Sequence, residues 1–88
     1  MYQSDCYNYD WFVDWLRRSL VPNLIPQYLL SAENIAKNFK RLYFDVSVED
    51  VTHAMEQIGY TCVIKHGEKF YSVSYTEEVE KALWKTWN

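Results

Sequence analysis

At Gly59 the apolar pattern of this chain changes period, and that change limits the fold more than any other feature. Before it, Val48, Val51, Met55 and Ile58 recur at i, i+3, i+7 and i+10, one stripe of a helix. Ser47 precedes the stripe as an N-cap, and Asp50 stands three residues on in a near-capping-box arrangement. Gly59 suits the left-handed position that ends a helix. After it the side chains alternate with period two. Residues 60–65 and 69–75 flank His66-Gly67-Glu68, which predicts a β-hairpin. If His66-Gly67 is a two-residue loop, Lys65 faces Glu68, Val63 faces Phe70, Cys62 faces Tyr71 and Tyr60 faces Val73. Opposed residues share a face. Tyr60, Cys62, Ile64, Tyr71 and Val73 are therefore expected on the core side, with Thr61, Val63, Phe70 and Ser72 on the other.

Upstream the pattern is helical twice more. Asp10 is expected to cap a first helix whose Trp11, Phe12, Trp15, Leu16 and Leu20 share one broad face, and Pro22 ends it. Pro26 lacks a backbone donor and restricts Ile25, so Pro22-Asn23-Leu24-Ile25-Pro26 is not regular helix. Residues 27–30 read as a short extended segment. Ser31 caps the next helix, over residues 32–43, with Glu33 in the first turn complementing the dipole. It turns Ile35, Ala36, Phe39 and Leu42 inward and Lys37, Lys40 and Arg41 outward. Phe44-Asp45-Val46 is a turn. Thr76 caps a last helix over 77–87, with Val79, Leu83 and Trp87 at fourfold spacing. Residues 1–9 form a polar, tyrosine-rich arm, and residues 10–88 a single α+β domain.

So short a chain of 88 residues needs bulky groups to build a core, and four Trp, eight Tyr and four Phe supply them. The net charge of −3 runs against the basic balance usual in DNA-binding domains. The start, Met1-Tyr2-Gln3-Ser4-Asp5, lacks the basic and apolar regions of a signal peptide, and no apolar run reaches the length of a membrane span. A cytoplasmic protein with Cys6 and Cys62 as free thiols is expected, with no membrane partner.

The element order is helix, short strand, helix, turn, helix, hairpin, helix. Across residues 31–75 it resembles the winged helix-turn-helix superfamily. Ser31-Ala32-Glu33-Asn34-Ile35-Ala36 opens the second helix, and Val46-Ser47, Val51, Ala54-Met55 and Ile58-Gly59-Tyr60 run through the third. Ala36 stands where such motifs place a small residue so that two helices cross closely, and Gly59-Tyr60 where the recognition helix hands over to the wing. The resemblance implies a non-enzymatic winged-helix domain that binds nucleic acid through the third helix, the wing, or both.

Departures from that pattern bear on function. Base-reading helices present cationic or amide side chains, whereas the outward positions of this third helix are Glu49, Asp50, His53, Glu56 and Gln57. Carboxylates there repel phosphate. Any DNA contact moves to Lys37, Lys40 and Arg41 of the second helix and Lys65, His66 and Lys69 of the wing, as in a small regulator or accessory protein of a phage or mobile element. The alternative is a protein-binding surface or homodimer made by Glu49, Asp50, His53 and Glu56 or by the indole pairs Trp11/Trp15 and Trp84/Trp87, since Trp is enriched at interface centres.

Chemistry beyond binding finds no foothold. Cys6, His53, Cys62 and His66 lack tight ligand spacing, so no metal site is expected. No nucleophile sits in a Gly-flanked turn and no Gly-rich loop cradles phosphate. Glu49-Asp50 and Glu77-Glu78 stand at helix starts, where the dipole accounts for them. No catalytic residue, cofactor or small-molecule substrate is expected.

Overall fold

The computed structural model describes residues 8–23 and 29–87, the side chain of Trp87 excepted. Residues 1–7 of the arm, Cys6 among them, residues 24–26 of the proline segment and residues 27–28 of the extended segment lie outside them, while Tyr9, expected in the arm, opens the first helix. Four helices, α1 (Tyr9–Ser19), α2 (Ala32–Leu42), α3 (Val48–Ile58) and α4 (Glu77–Trp87), carry five short strands between them. These are β1 (Leu20–Pro22), β2 (Leu30–Ser31), β3 (Cys62–Lys65), β4 (Glu68–Tyr71) and β5 (Val73–Tyr75). The result is a small α+β fold with two antiparallel sheets, β1–β5 and β2–β4–β3. No described helix is long and apolar enough to cross a membrane.

Local chemistry sets the boundaries. The Ser31 hydroxyl accepts from the Asn34 amide and the Ser47 hydroxyl from the Asp50 amide, both at 3.0 Å, satisfying donors that a helix start leaves open. Gly59 ends α3 at φ 98°, in the left-handed region where a Cβ is strained. Thr76 caps α4 through the Val79 amide. At α1 the cap position falls on Asn8, which makes no side-chain cap bond. Asp10 instead lies inside the first turn, where its charge suits the dipole.

The hairpin takes the expected register, with Cys62, Val63, Ile64 and Lys65 opposite Tyr71, Phe70, Lys69 and Glu68. His66 and Gly67 both adopt positive φ, 54° and 77°, the sign that a two-residue type I′ turn requires at both central positions. Ser72 then marks a change of sheet. Beyond it Val73 faces Pro22, Ser74 faces Val21 and Tyr75 faces Leu20, so Val73 is not the partner of Tyr60. The Thr76 amide donates to the Ser19 carbonyl at 2.9 Å, and the Tyr60 hydroxyl to the Leu20 carbonyl at 3.2 Å.

The core draws on every helix: Phe12, Val13, Trp15 and Leu16 from α1, Ala32, Ile35, Ala36 and Phe39 from α2, Val51, Ala54 and Met55 from α3, Val79 and Leu83 from α4. Leu20, Val46, Tyr71 and Val73 complete it. Phe39 is its aromatic hub, with ring centroids 4.6 Å from Phe12, 4.9 Å from Trp15, 5.0 Å from Phe44, 5.2 Å from Tyr43 and 6.0 Å from Trp11. Rings at these separations and tilts stabilise one another beyond the area they bury.

Three expectations about burial are corrected. Asp50 is buried rather than outward, because α1 packs on the flank of α3 that carries it, and its charge bears on Tyr9 of that helix. Val48 is 45% exposed although it lies on the apolar stripe, since among the described residues no element covers the first turn of α3 on that side. Cys62 and Ile64 are exposed while Tyr71 and Val73 are fully buried. Tyr71 on β4 and Val73 on β5 reach the core from their two sheets, whereas β3 is the outer strand of its own.

Candidate functional site

Two surfaces can be built from the residues singled out in the sequence. The first lies between α2, α3 and the wing. Ser31, Ala32 and Glu33 at the start of α2, Val48 and Thr52 on α3, and Glu68 and Lys69 on β4 line a recess of about 280 Å³ there. Glu49 and Glu56 stand on the exposed face of α3 beside it, with Thr52 and His53 half-buried between them. Lys69 does not project freely from the wing. Its ammonium donates to Glu56 Oε1 at 3.2 Å, a bridge with both side chains about half exposed.

The remaining candidate cations are divided. Lys65 and His66 are exposed at the wing tip, whereas Lys37, Lys40 and Arg41 are exposed along the outer side of α2. Ser31 pairs with Phe70, so α2 starts beside the wing, and its rise of about 1.5 Å per residue carries Lys40 and Arg41 away from it. Glu33 and Glu68 occupy the junction. Where α3 and the wing face solvent together, the exposed carboxylates are Glu49, Glu56 and Glu68, and the lysines are Lys65 and the bridged Lys69. That arrangement disfavours phosphate.

The second surface is aromatic. Trp11 on α1 and Tyr43 at the end of α2 pack edge to face with centroids 4.9 Å apart, and they remain 41% and 52% exposed. They edge a groove of about 380 Å³ between α1, α2 and α4. Its apolar wall is Trp15, Leu42, Val79 and Ala82, and its polar margin includes Arg18 and Glu78. Arg18 is tied to Asp14 at 3.0 Å within α1. Ring-on-ring support from Phe39 and Phe44 fixes Trp11 from behind, so the exposed edge is held rather than loose. Comparison with family models, with curated proteins and with solved structures finds no match for this chain.

The indole pairs of the sequence reading therefore separate. Trp15 is buried, 5% exposed, and belongs to the core wall of the groove. Trp11 is at its lip. Trp84 is 69% exposed on another side of α4, and the Trp87 side chain lies outside the described residues. Tyr43 and Ala82 were not singled out from sequence, and Leu42 only as an inward position of its helix. The spacing of Tyr43 four residues after Phe39 was the available signal, masked because it falls on the last, fraying turn of α2.

Among the described residues no group of three His, Cys, Asp or Glu side chains is placed to hold a metal. The shifted groups are phenols. Burial, with Asp50 and Asp10 adding to it, raises Tyr9. Burial also raises Tyr60 against the pull of Arg17, and Tyr75 against its hydrogen bond from Asn38 at 3.2 Å. Tyr71 is pushed up to about 12 by burial, by the Cys62 thiol opposite it and by Glu56. All four stay protonated at neutral pH, so none supplies a base.

Proposed function

We propose that this chain is a non-enzymatic binding module of winged-helix type that docks a protein segment in the groove between α1, α2 and α4. The sheet order β2–β4–β3, with the strand before α2 added to the second wing strand, supports the winged-helix reading, as do the capped α2–α3 pair and the primed turn. The observation that carries the protein-binding reading is the Trp11–Tyr43 pair, two rings held edge to face at a groove mouth yet about half in water. Trp and Tyr in such settings supply large contact area at little entropic cost. The acidic α3 face and the Lys69–Glu56 bridge weigh the same way.

Panning a displayed peptide library on the wild type, with Trp11→Ala/Tyr43→Ala as counter-selection, tests it. Peptides carrying an apolar anchor should emerge and bind the wild type at least tenfold more tightly than the double variant. Enrichment that ignores the two rings refutes the groove. A DNA-associated reading keeps one favourable observation, the exposed Lys65 and His66 at the wing tip. Fluorescence anisotropy with duplex DNA at low salt decides between them, with wild-type binding abolished by Lys65→Glu/Lys69→Glu as its signature.

A further inference from the structure

Tyr71 is buried in a way that packing alone does not explain. Its side chain is 0% exposed, yet the hydroxyl at its end finds no oxygen or nitrogen partner among the described residues. A phenylalanine would fill the same place without that cost. Buried polar groups left so are rare in native proteins, and a redox or catalytic role is one of the reasons they persist. The partner that the hydroxyl does reach is the thiol of Cys62.

Strand register puts the two together. The Ser72 amide donates to the Thr61 carbonyl at 3.4 Å, so the next pair along, Cys62 and Tyr71, is a non-hydrogen-bonded one. Opposed side chains approach most closely at such a pair. The sulfur is also open to solvent, because β3 is the outer strand of its sheet and Cys62 is exposed there as a free thiol. A buried donor without a strong acceptor thus points at a nucleophile that small molecules can reach.

We propose that Cys62 is a site of reversible thiol–disulfide exchange with small organic disulfides, and that the Tyr71 hydroxyl holds the thiolate that attacks. A neutral thiol is a weak acceptor, whereas an ionised one takes a charge-assisted bond about twice as strong. The phenol gains its full partner only when Cys62 ionises, and it keeps its own proton then, being raised to about 12. The charged groups nearby give less help. Lys69, on the same sheet face, is bridged to Glu56 at 3.2 Å, so the two largely cancel. In the exchange the Cys62 sulfur attacks one sulfur of the disulfide, the S–S bond between the two breaks, and a new one forms to Cys62. The second sulfur leaves as a thiolate and takes up from solvent the proton that Cys62 released. One thiol and one disulfide are consumed and one of each is formed, so no further oxidant enters. The site lies on the wing, apart from the groove between α1, α2 and α4, and neither depends on the other.

The rate of reaction with dipyridyl disulfide at pH 7, followed by release of its chromophoric thiol, reads the proposal. Cys6→Ser serves as the parent, so that Cys62 is the reacting cysteine. A charge-assisted bond in place of a neutral one raises the thiolate population roughly tenfold. A bonded thiolate is also a weaker nucleophile, with a Brønsted exponent of about 0.4–0.5, which leaves a net gain of about threefold in rate. Tyr71→Phe should therefore react about threefold more slowly than the parent. Tyr60→Phe, which loses a hydroxyl bonded to the Leu20 carbonyl, should react at the parental rate. Loss of structure does not imitate this result, since a looser fold exposes the thiol further. Dithiothreitol should return the free thiol. If circular dichroism finds Cys6→Ser unfolded, the same comparison is made in the natural chain by mass mapping of the Cys62 peptide. A Tyr71→Phe variant that reacts as fast as its parent or faster, equal slowing in Tyr60→Phe, or an adduct that dithiothreitol does not release would each overturn the proposal.

Discussion

Replacing Tyr71 by Phe should stabilise this protein, the reverse of what removing a tyrosine hydroxyl usually does. Tyr71 is the largest fully buried side chain among the described residues, and among them its hydroxyl makes no hydrogen bond stronger than a contact with the Cys62 thiol, a weak partner. A buried polar group left unsatisfied costs about 1–3 kcal/mol. Deleting the oxygen recovers that penalty and gives back a little through the small void left, so the net gain should be about 1–2 kcal/mol. In a domain of this size each kcal/mol moves the midpoint by roughly 4–8 °C, so Tm should rise by about 5–10 °C. Two internal controls have bonded hydroxyls: Tyr60 donates to the Leu20 carbonyl and Tyr75 accepts from Asn38. Tyr60→Phe and Tyr75→Phe should each lose about 0.5–1.5 kcal/mol. The pH dependence follows from the same group. Its folded pKa of about 12 lies above the ordinary phenol value of 10.0. Folded chains therefore hold a proton that unfolded chains release between these values, and stability falls as pH rises through that window. Tyr71→Phe should flatten the slope without abolishing it, because Tyr9, Tyr60 and Tyr75 are raised too. Thermal melts by circular dichroism from pH 7 to 11.5 read both effects. A Tyr71→Phe variant less stable than wild type at pH 7 refutes the reasoning, since it means that the hydroxyl is satisfied.

Phe39→Ala removes the ring that touches five others and should cost about 3–5 kcal/mol in urea unfolding, with Phe39→Leu costing less than half as much. His66→Asn keeps the turn and puts at this positive φ the residue that type I′ turns favour most strongly there. A gain of a few tenths of a kcal/mol to about 1 kcal/mol is expected, and a loss would show that His66 makes a contact of its own. Glu56→Lys removes a carboxylate from α3 and releases Lys69 from its bridge. Duplex affinity at low salt should rise severalfold, while stability changes by no more than about 1 kcal/mol. Equal affinity before and after would show that this face never meets nucleic acid.

The parts of the fold written in single residues were readable in advance. Ser31 and Ser47 cap α2 and α3 as their chemistry dictates, Gly59 ends α3, and His66-Gly67 fixes the hairpin register. What could not be read depends on which neighbour covers which flank. Period two places Cys62 and Ile64 on the same face as Tyr71, but the face is covered only as far as β4. Asp50 looks like a solvated helix start until α1 is laid over it. The β1–β5 pair was invisible because Leu20-Val21-Pro22 reads as the end of a helix, and its Pro22 is tolerated only because the strand stands at a sheet edge. The aromatic groove was half legible. Trp11 and Trp15 were in view, but their division into lip and wall, and the part of Tyr43, required the crossing of α1, α2 and α4.

The β1–β5 pairing also has a consequence for how the chain is made. A ribosome delivers residues in order, and the strand that seals the carboxyl end of α1, Val73–Tyr75, is the last of the five to emerge. Until it does, Leu20 has no cover from Tyr75, the Ser19 carbonyl lacks the Thr76 amide, and Val73 is missing from the core. The α2–α3 pair needs only neighbours close in sequence and can organise early, whereas α1 waits on a closure between distant segments whose entropy must be met first. Completion of this fold is thus tied to the end of the domain's synthesis. Partial chains that stop before β5 should be recognised by proteases as open.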